Sequence, residues 1–176
     1  RQLRRTVLLV AGLNLAYFAV EAAVAVAIGS VSLLADSADF LEDTAINLLI
    51  ALALGWPLHR RALAGKAMAG IVLVPALAAA VAAWRAAADP APPDPLSLVL
   101  TAGGAVVVNG ACALLLLRIR HHGGSLTTAA FLTARNDVLV NLAVIAMGVV
   151  TAWTHSGWPD IVLGVAIVAV CVHAAH

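Results

Sequence analysis

Four acids lie in the stretch Ser32–Asn47, SLLADSADFLEDTAIN, inside an apolar segment running from Val31 to Leu54. Asp36, Asp39, Asp43 and Asn47 follow one another at steps of three, four and four residues, which puts them on one face of an α-helix, with Glu42 beside that stripe. A carboxylate near the centre of a bilayer costs about 2.5–3.5 kcal/mol on insertion scales, so such residues face a bundle interior, a partner or an aqueous path. Like charges at helical-neighbour spacing repel unless protons or a cation neutralise them. The stripe therefore suits a proton site, a cation site, or both in alternation. The plainer alternative is a capping cluster at the membrane surface. Asp36 is close enough to the segment start for that, but Asp43 lies too deep at a rise of roughly 1.5 Å per residue.

A second polar stripe lies in FLTARNDVLVNLAVI. Thr133, Asp137 and Asn141 recur at four-residue steps, with Asn136 alongside. With the two segments running in opposite directions, Asp39 and Asp43 lie roughly 10–20 Å from one membrane face and Asp137 roughly 18 Å from the other. In a hydrocarbon core about 30 Å thick these acids share a level. Carboxylates and neutral amide or hydroxyl oxygens on facing helices are a means of holding a divalent cation. Arg135 is expected to snorkel toward the near surface or to pair with Glu42. Asn14 and Asn109 fit helix–helix hydrogen bonding better than ligand binding. Glu21 shares a face with Asn14 and Tyr17 and, with Asp36 and Glu42, is a candidate for a proton path or a secondary role. Asp160, after Trp158 and Pro159, is expected to complement the N-terminal dipole of its own helix.

The elements that must position these residues follow from composition. The 176 residues are 63% hydrophobic and 11% charged, with a mean hydropathy of +1.03. Soluble domains are about 45–50% apolar and about 25% charged. A polytopic membrane protein results, all-α because the short alternating segments of a barrel are absent. Six segments reach spanning length: Thr6–Gly29, Val31–Leu54, Lys66–Ala88, Pro95–Leu117, Ser125–Thr154 and Trp158–Ala174. They form one transmembrane domain, residues 1–176. Trp56, Trp84, Trp153 and Trp158 lie near segment ends, as interfacial anchors do. Arg1, Arg4, Arg5, Arg60, Arg61, Lys66, Arg118 and Arg120 fall on one side of the alternating topology and Arg85 on the other, which places both termini in the cytoplasm. A net charge of +1, without a basic stripe and interleaved aromatics, gives no nucleic-acid surface. Cys112 and Cys171 form neither a CxxC pair nor a disulfide framework. No cleavable signal peptide is visible. His121 and His122, in RIRHHGGS, read as a polar loop, since two neighbouring histidines do not complete a metal site.

Asn14 and Glu21, GSVSLLADSADFLED, Asn109, RNDVLVNLAVI and WPDIVLG together resemble, over nearly the whole chain, the cation diffusion facilitator family of divalent-metal/proton antiporters. The resemblance implies that Asp39 and Asp43 are the second-helix metal pair and Asp137 the acid of the fifth-helix pair. That family's partner position, four residues before the fifth-helix Asp, is commonly His or Asp; here it is Thr133. The implied shell is Asp39, Asp43 and Asp137, completed by Asn136, Thr133 or water. The resemblance also implies a homodimer in a bacterial cytoplasmic membrane; most members continue into a C-terminal cytoplasmic domain, which this chain is expected to lack. Zn²⁺ is the expected cargo, with Cd²⁺, Co²⁺, Fe²⁺ or Mn²⁺ as alternatives, and the oxygen-rich shell pulls toward harder ions. The metal is substrate; no cofactor is implied.

Two competing functions are weighed. Membrane phosphotransferases acting on CDP-alcohols also hold divalent metals with clustered Asp, but their pattern resembles D-G-x-x-A-R…G-x-x-x-D-x-x-x-D. Here Ser37 follows Asp36, no Ala-Arg pair stands at the required place, and the acids divide between distant helices. A non-transporting subunit would leave several stacked acids with their insertion cost unexplained.

Overall fold

The computed structural model describes residues 2–53, 56–119 and 124–174. The chain forms six helices: α1 (Gln2–Ile28), α2 (Val31–Ala53), α3 (Leu58–Ala88), α4 (Pro95–Leu117), α5 (Gly124–Thr154) and α6 (Trp158–Ala174). The protein is an all-α, multi-pass membrane protein. Gln2–Ile28, Ala62–Ala88, Pro95–Leu117 and Thr127–Thr154 are long and apolar enough to cross a bilayer by length and composition alone. α2 is depleted in hydropathy by its acids, and α6 is a shorter apolar helix. The largest difference from the expected bounds is α3, which starts at Leu58 rather than Lys66, so His59, Arg60, Arg61 and Lys66 lie on its first turns. Lys and Arg have good helix propensity, so the basic run continues the helix instead of forming a loop. His121 and His122 lie outside the described residues.

α2 is the axis of the bundle. It packs against α1, α3, α5 and α6, while α1 meets α4, α4 meets α5, α5 meets α6 and α6 meets α3 around it. Burial is inverted relative to a soluble protein. Leu63, Val74, Leu77, Leu100, Val107, Leu139, Val162 and Val170 face outward, as do Trp84 and Trp153, the arrangement that lipid favours.

Inside, two apolar clusters are separated along the bundle axis. One joins Val7, Val10, Ile50, Ala51, Cys112, Leu116, Ala130 and Ala134. The other joins Ala25, Leu33, Ala35, Ala79, Leu98, Ala102, Val144 and Ile167. Between them, on each contributing helix, lie the buried polar residues: Asn14 and Glu21 on α1, Asp36, Asp43 and Asn47 on α2, Asn109 on α4, Asp137 and Asn141 on α5. The result is a polar layer clamped between two apolar ones.

The ends of α2 are set by identifiable contacts. Gly29 closes α1 at φ +71°, and Ser30 N–H reaches back to Ala25 C=O at 3.0 Å, the Schellman closure that glycine permits without strain. Asp160 from α6 then caps α2. Its carboxylate accepts from Val31 N at 2.6 Å, Ser32 N at 3.2 Å, Ser30 Oγ at 2.7 Å and Ser32 Oγ at 2.5 Å. Ser30 Oγ takes the next amide, Leu33 N, at 3.2 Å. The first amides of α2, which have no partner within the helix, are thereby satisfied. Asp160 thus serves α2, not only its own helix as expected. The sequence offers no sign that a carboxylate 130 residues after Ser30 would arrive there. The helices meet closely because α6 presents Gly164, where a Cβ would stand 2.8 Å from the Val31 carbonyl carbon.

Candidate functional site

Asp39 and Glu42 on α2, Thr133, Asn136, Asp137, Val140 and Ala143 on α5, and Leu163, Ala166, Ile167 and Val170 on α6 line a cavity of about 420 Å³. Its polar wall is made by α2 and α5 and its apolar wall by α6. Asp137 is 7% exposed; Asp39 and Glu42 are half-buried. Asp137 lies within electrostatic range of Asp43, Asp39, Asp36 and Glu42. The acids expected at a common level are therefore neighbours.

The division among them differs from a uniform stripe. Asp43 is 1% exposed, neither of its carboxylate oxygens has a hydrogen-bond partner, and it is not on the cavity wall. Helical geometry accounts for this. Relative to Asp39, a step of three residues turns about 60° one way and a step of four about 40° the other. The cavity opens on the Glu42 side, so Glu42 joins its wall and Asp43 is turned toward the packed interior. Among the described residues, no group of three or more His, Cys, Asp and Glu side chains is arranged to hold a metal ion as it stands.

The neutral candidates take distinct positions. Thr133 Oγ1 donates to Ala129 C=O at 3.2 Å, which uses its proton and leaves its lone pairs directed away from that bond. Asn136 Oδ1 accepts from Arg135 at 3.2 Å. Of the two roles expected of Arg135, the ion pair with Glu42 is not formed: Arg135 is exposed and its guanidinium donates to the adjacent Asn136. Asn47 and Asn141 each return a side-chain N–H to the carbonyl four residues earlier, Asp43 at 2.9 Å and Asp137 at 2.8 Å. These bonds tether the backbone beneath two acids. Asn14 and Asn109 are buried between α1 and α4, and Cys112 Sγ lies 3.9 Å from Asn14 Oδ1, in keeping with a packing role.

Tyr17 is the polar residue whose part was not foreseen. Its hydroxyl donates to Thr101 C=O on α4 at 2.6 Å, and its ring lies 5.1 Å from that of Phe40. It ties α1 to α4 and, through Phe40, to the α2 turn that carries Asp39. Its spacing from Asn14 and Glu21 was the available signal.

Lipid-facing apolar residues outside, a polar layer within, and carboxylates around an intramembrane cavity define a membrane protein that handles cations. Residues 62–175 match the cation efflux transmembrane domain family. The chain belongs to the cation efflux family, also called the cation diffusion facilitators, and is a metal-cation transporter. That is a family of transporters, not of enzymes, so the phosphotransferase alternative falls. The match runs from the first turns of α3 through α6 and contains Thr133, Asn136, Asp137 and Asp160; α1 and α2 precede it. A comparison with curated proteins gives no match.

Proposed function

We propose that the protein exports a divalent transition-metal ion from the cytoplasm in exchange for protons, with Zn²⁺ ahead of Cd²⁺, Co²⁺, Fe²⁺ and Mn²⁺. The observation that carries this is the pairing of Asp39 on α2 with Asp137 on α5 across one cavity inside the bundle. Asp39, Asp43 and Asp137 bind the ion, with Asn136, Thr133 or water completing the shell. Asp43 must turn toward the cavity to join them, so the closed site forms around the ion. Glu42, at the same wall, receives the ion first. Carboxylates must be ionised to hold the metal, so metal and protons compete for them. Protons displace the metal when the site faces outward, and higher pH favours metal when it faces the cytoplasm. Both termini lie in the cytoplasm in this reading, and two copies work as a homodimer in a bacterial cytoplasmic membrane.

Purified protein in liposomes tests the exchange. With Zn²⁺ outside, an acidic lumen should accelerate uptake, and uptake should alkalinise the lumen. Zn²⁺ flux that is unaffected by the pH gradient and moves no protons would replace exchange with passive permeation.

A further inference from the structure

A second group of carboxyls lies in the polar layer away from the cavity. Glu21 on α1 and Asp36 on α2 are side by side, each with 0% exposure, and neither lines the cavity. Both Glu21 oxygens and Asp36 Oδ2 have no hydrogen-bond partner. Asn141 on α5, also fully buried, turns its amide to the pair: Nδ2 is 3.5 Å from Asp36 Oδ1, while Asn141 Oδ1 has no partner.

The surroundings offer no compensating charge. Among the described residues, no Lys, Arg or His forms an ion pair with either carboxyl. α4 contributes no charged side chain. The titratable groups facing the pair are Tyr17 on α1, Asp39 on α2 and Asp137 on α5, and none of these brings positive charge. Two adjacent dry carboxylates cannot both remain ionised. As two anions, they are acceptors without a donor between them. One proton converts one of them into the donor the other lacks, as in carboxyl dyads that share a proton. Both side chains are fully buried and off the lining of that cavity, and a proton, unlike a hydrated cation, needs no space of its own.

We propose that Glu21 and Asp36 hold one proton between them, in a site apart from the cavity, and that this proton stays in place when metal binds. It joins α1 to α2 through a carboxyl–carboxylate hydrogen bond, with Asn141 as the contact from α5. Its persistence with metal bound rests on the Zn²⁺ binding proposed for the cavity acids; the shared proton itself does not.

Infrared spectroscopy of the purified full chain in lipid nanodiscs tests it. At neutral pH the wild type should show a protonated-carboxyl C=O stretching band that saturating Zn²⁺ leaves in place. Measured with saturating Zn²⁺, which ionises the acids that bind it, the band should shift in Glu21→Gln and in Asp36→Asn, which leave a single carboxyl with an amide neighbour, and be lost in the double variant. Near-isosteric amides favour folding, and circular dichroism identifies which variants fold. A wild type without the band, an unchanged band in any folded variant, or removal of the band by Zn²⁺ would overturn the proposal.

Discussion

At the scale of single residues, the polar layer assigns different work to neighbouring acids. If Asp39, Asp43 and Asp137 act as one metal shell, removal of any one leaves an incomplete set of like charges. Asp39→Ala, Asp43→Ala and Asp137→Ala should each abolish saturable Zn²⁺ binding by calorimetry; wild-type affinity in Asp43→Ala would remove that residue from the shell and leave the cavity acids alone. Glu42→Gln should slow uptake while equilibrium affinity stays within a few-fold, because Glu42 meets the ion first in this scheme. Thr133→His should raise affinity for Zn²⁺ relative to Mn²⁺, since imidazole suits the former; equal affinities before and after would place the side chain out of reach. Much of this was legible in the sequence, because acids in an apolar segment report their cost wherever they stand. What was not legible was rotation. Spacing puts Glu42 and Asp43 on either side of Asp39, and only the position of α5 and α6 decides which of the two faces the cavity.

At the scale of elements, α2 is fixed at its N-terminus by a carboxylate from α6. Asp160→Ala should leave the buried Val31 and Ser32 amides unsatisfied and destabilise the protein by on the order of 2–4 kcal/mol. Asp160→Asn keeps one acceptor and should cost less. Thermal unfolding in detergent measures both, and equal stability of Asp160→Ala and wild type would mean that these amides find other partners. α4 has a cap of a different kind. Asp94 accepts from Ser97 N at 2.8 Å ahead of Pro95, and its hydrogen bonds with Ser97 hold its carboxyl below the ordinary range. A depressed folded-state value gives stability present above the unfolded carboxylate range and lost as pH falls through the folded value. The difference in melting temperature between wild type and Asp94→Ala should therefore shrink in acid. A gap that persists there would point to packing instead. The Asp94 cap is local, joining residues three apart with Pro95 at the first helical position; the Asp160 cap on α2 could not be expected from the sequence, because its partners are distant in it.

At the scale of the molecule, hydropathy and length gave the helix count, and the cost of a charge in lipid gave the inward placement of the acids. They did not give the central position of α2, which depends on the order in which neighbouring helices pack. That position has a consequence for biogenesis. With acids at Asp36, Asp39, Glu42 and Asp43, α2 is a poor substrate for the translocon, each acid near its centre opposing partition by about 2.5–3.5 kcal/mol. α1 is strongly apolar and is joined to it by the Gly29–Ser30 turn alone. α2 should therefore enter the membrane as the second arm of a hairpin, with α1 supplying the driving force. In a glycosylation-mapping reporter, α2 alone should remain uninserted, α1–α2 should insert, and α2 with Leu at positions 36, 39 and 43 should insert unaided. Efficient insertion of unaltered α2 by itself would show that its acids are tolerated before any neighbour arrives, and the nascent chain would then have no need of the hairpin.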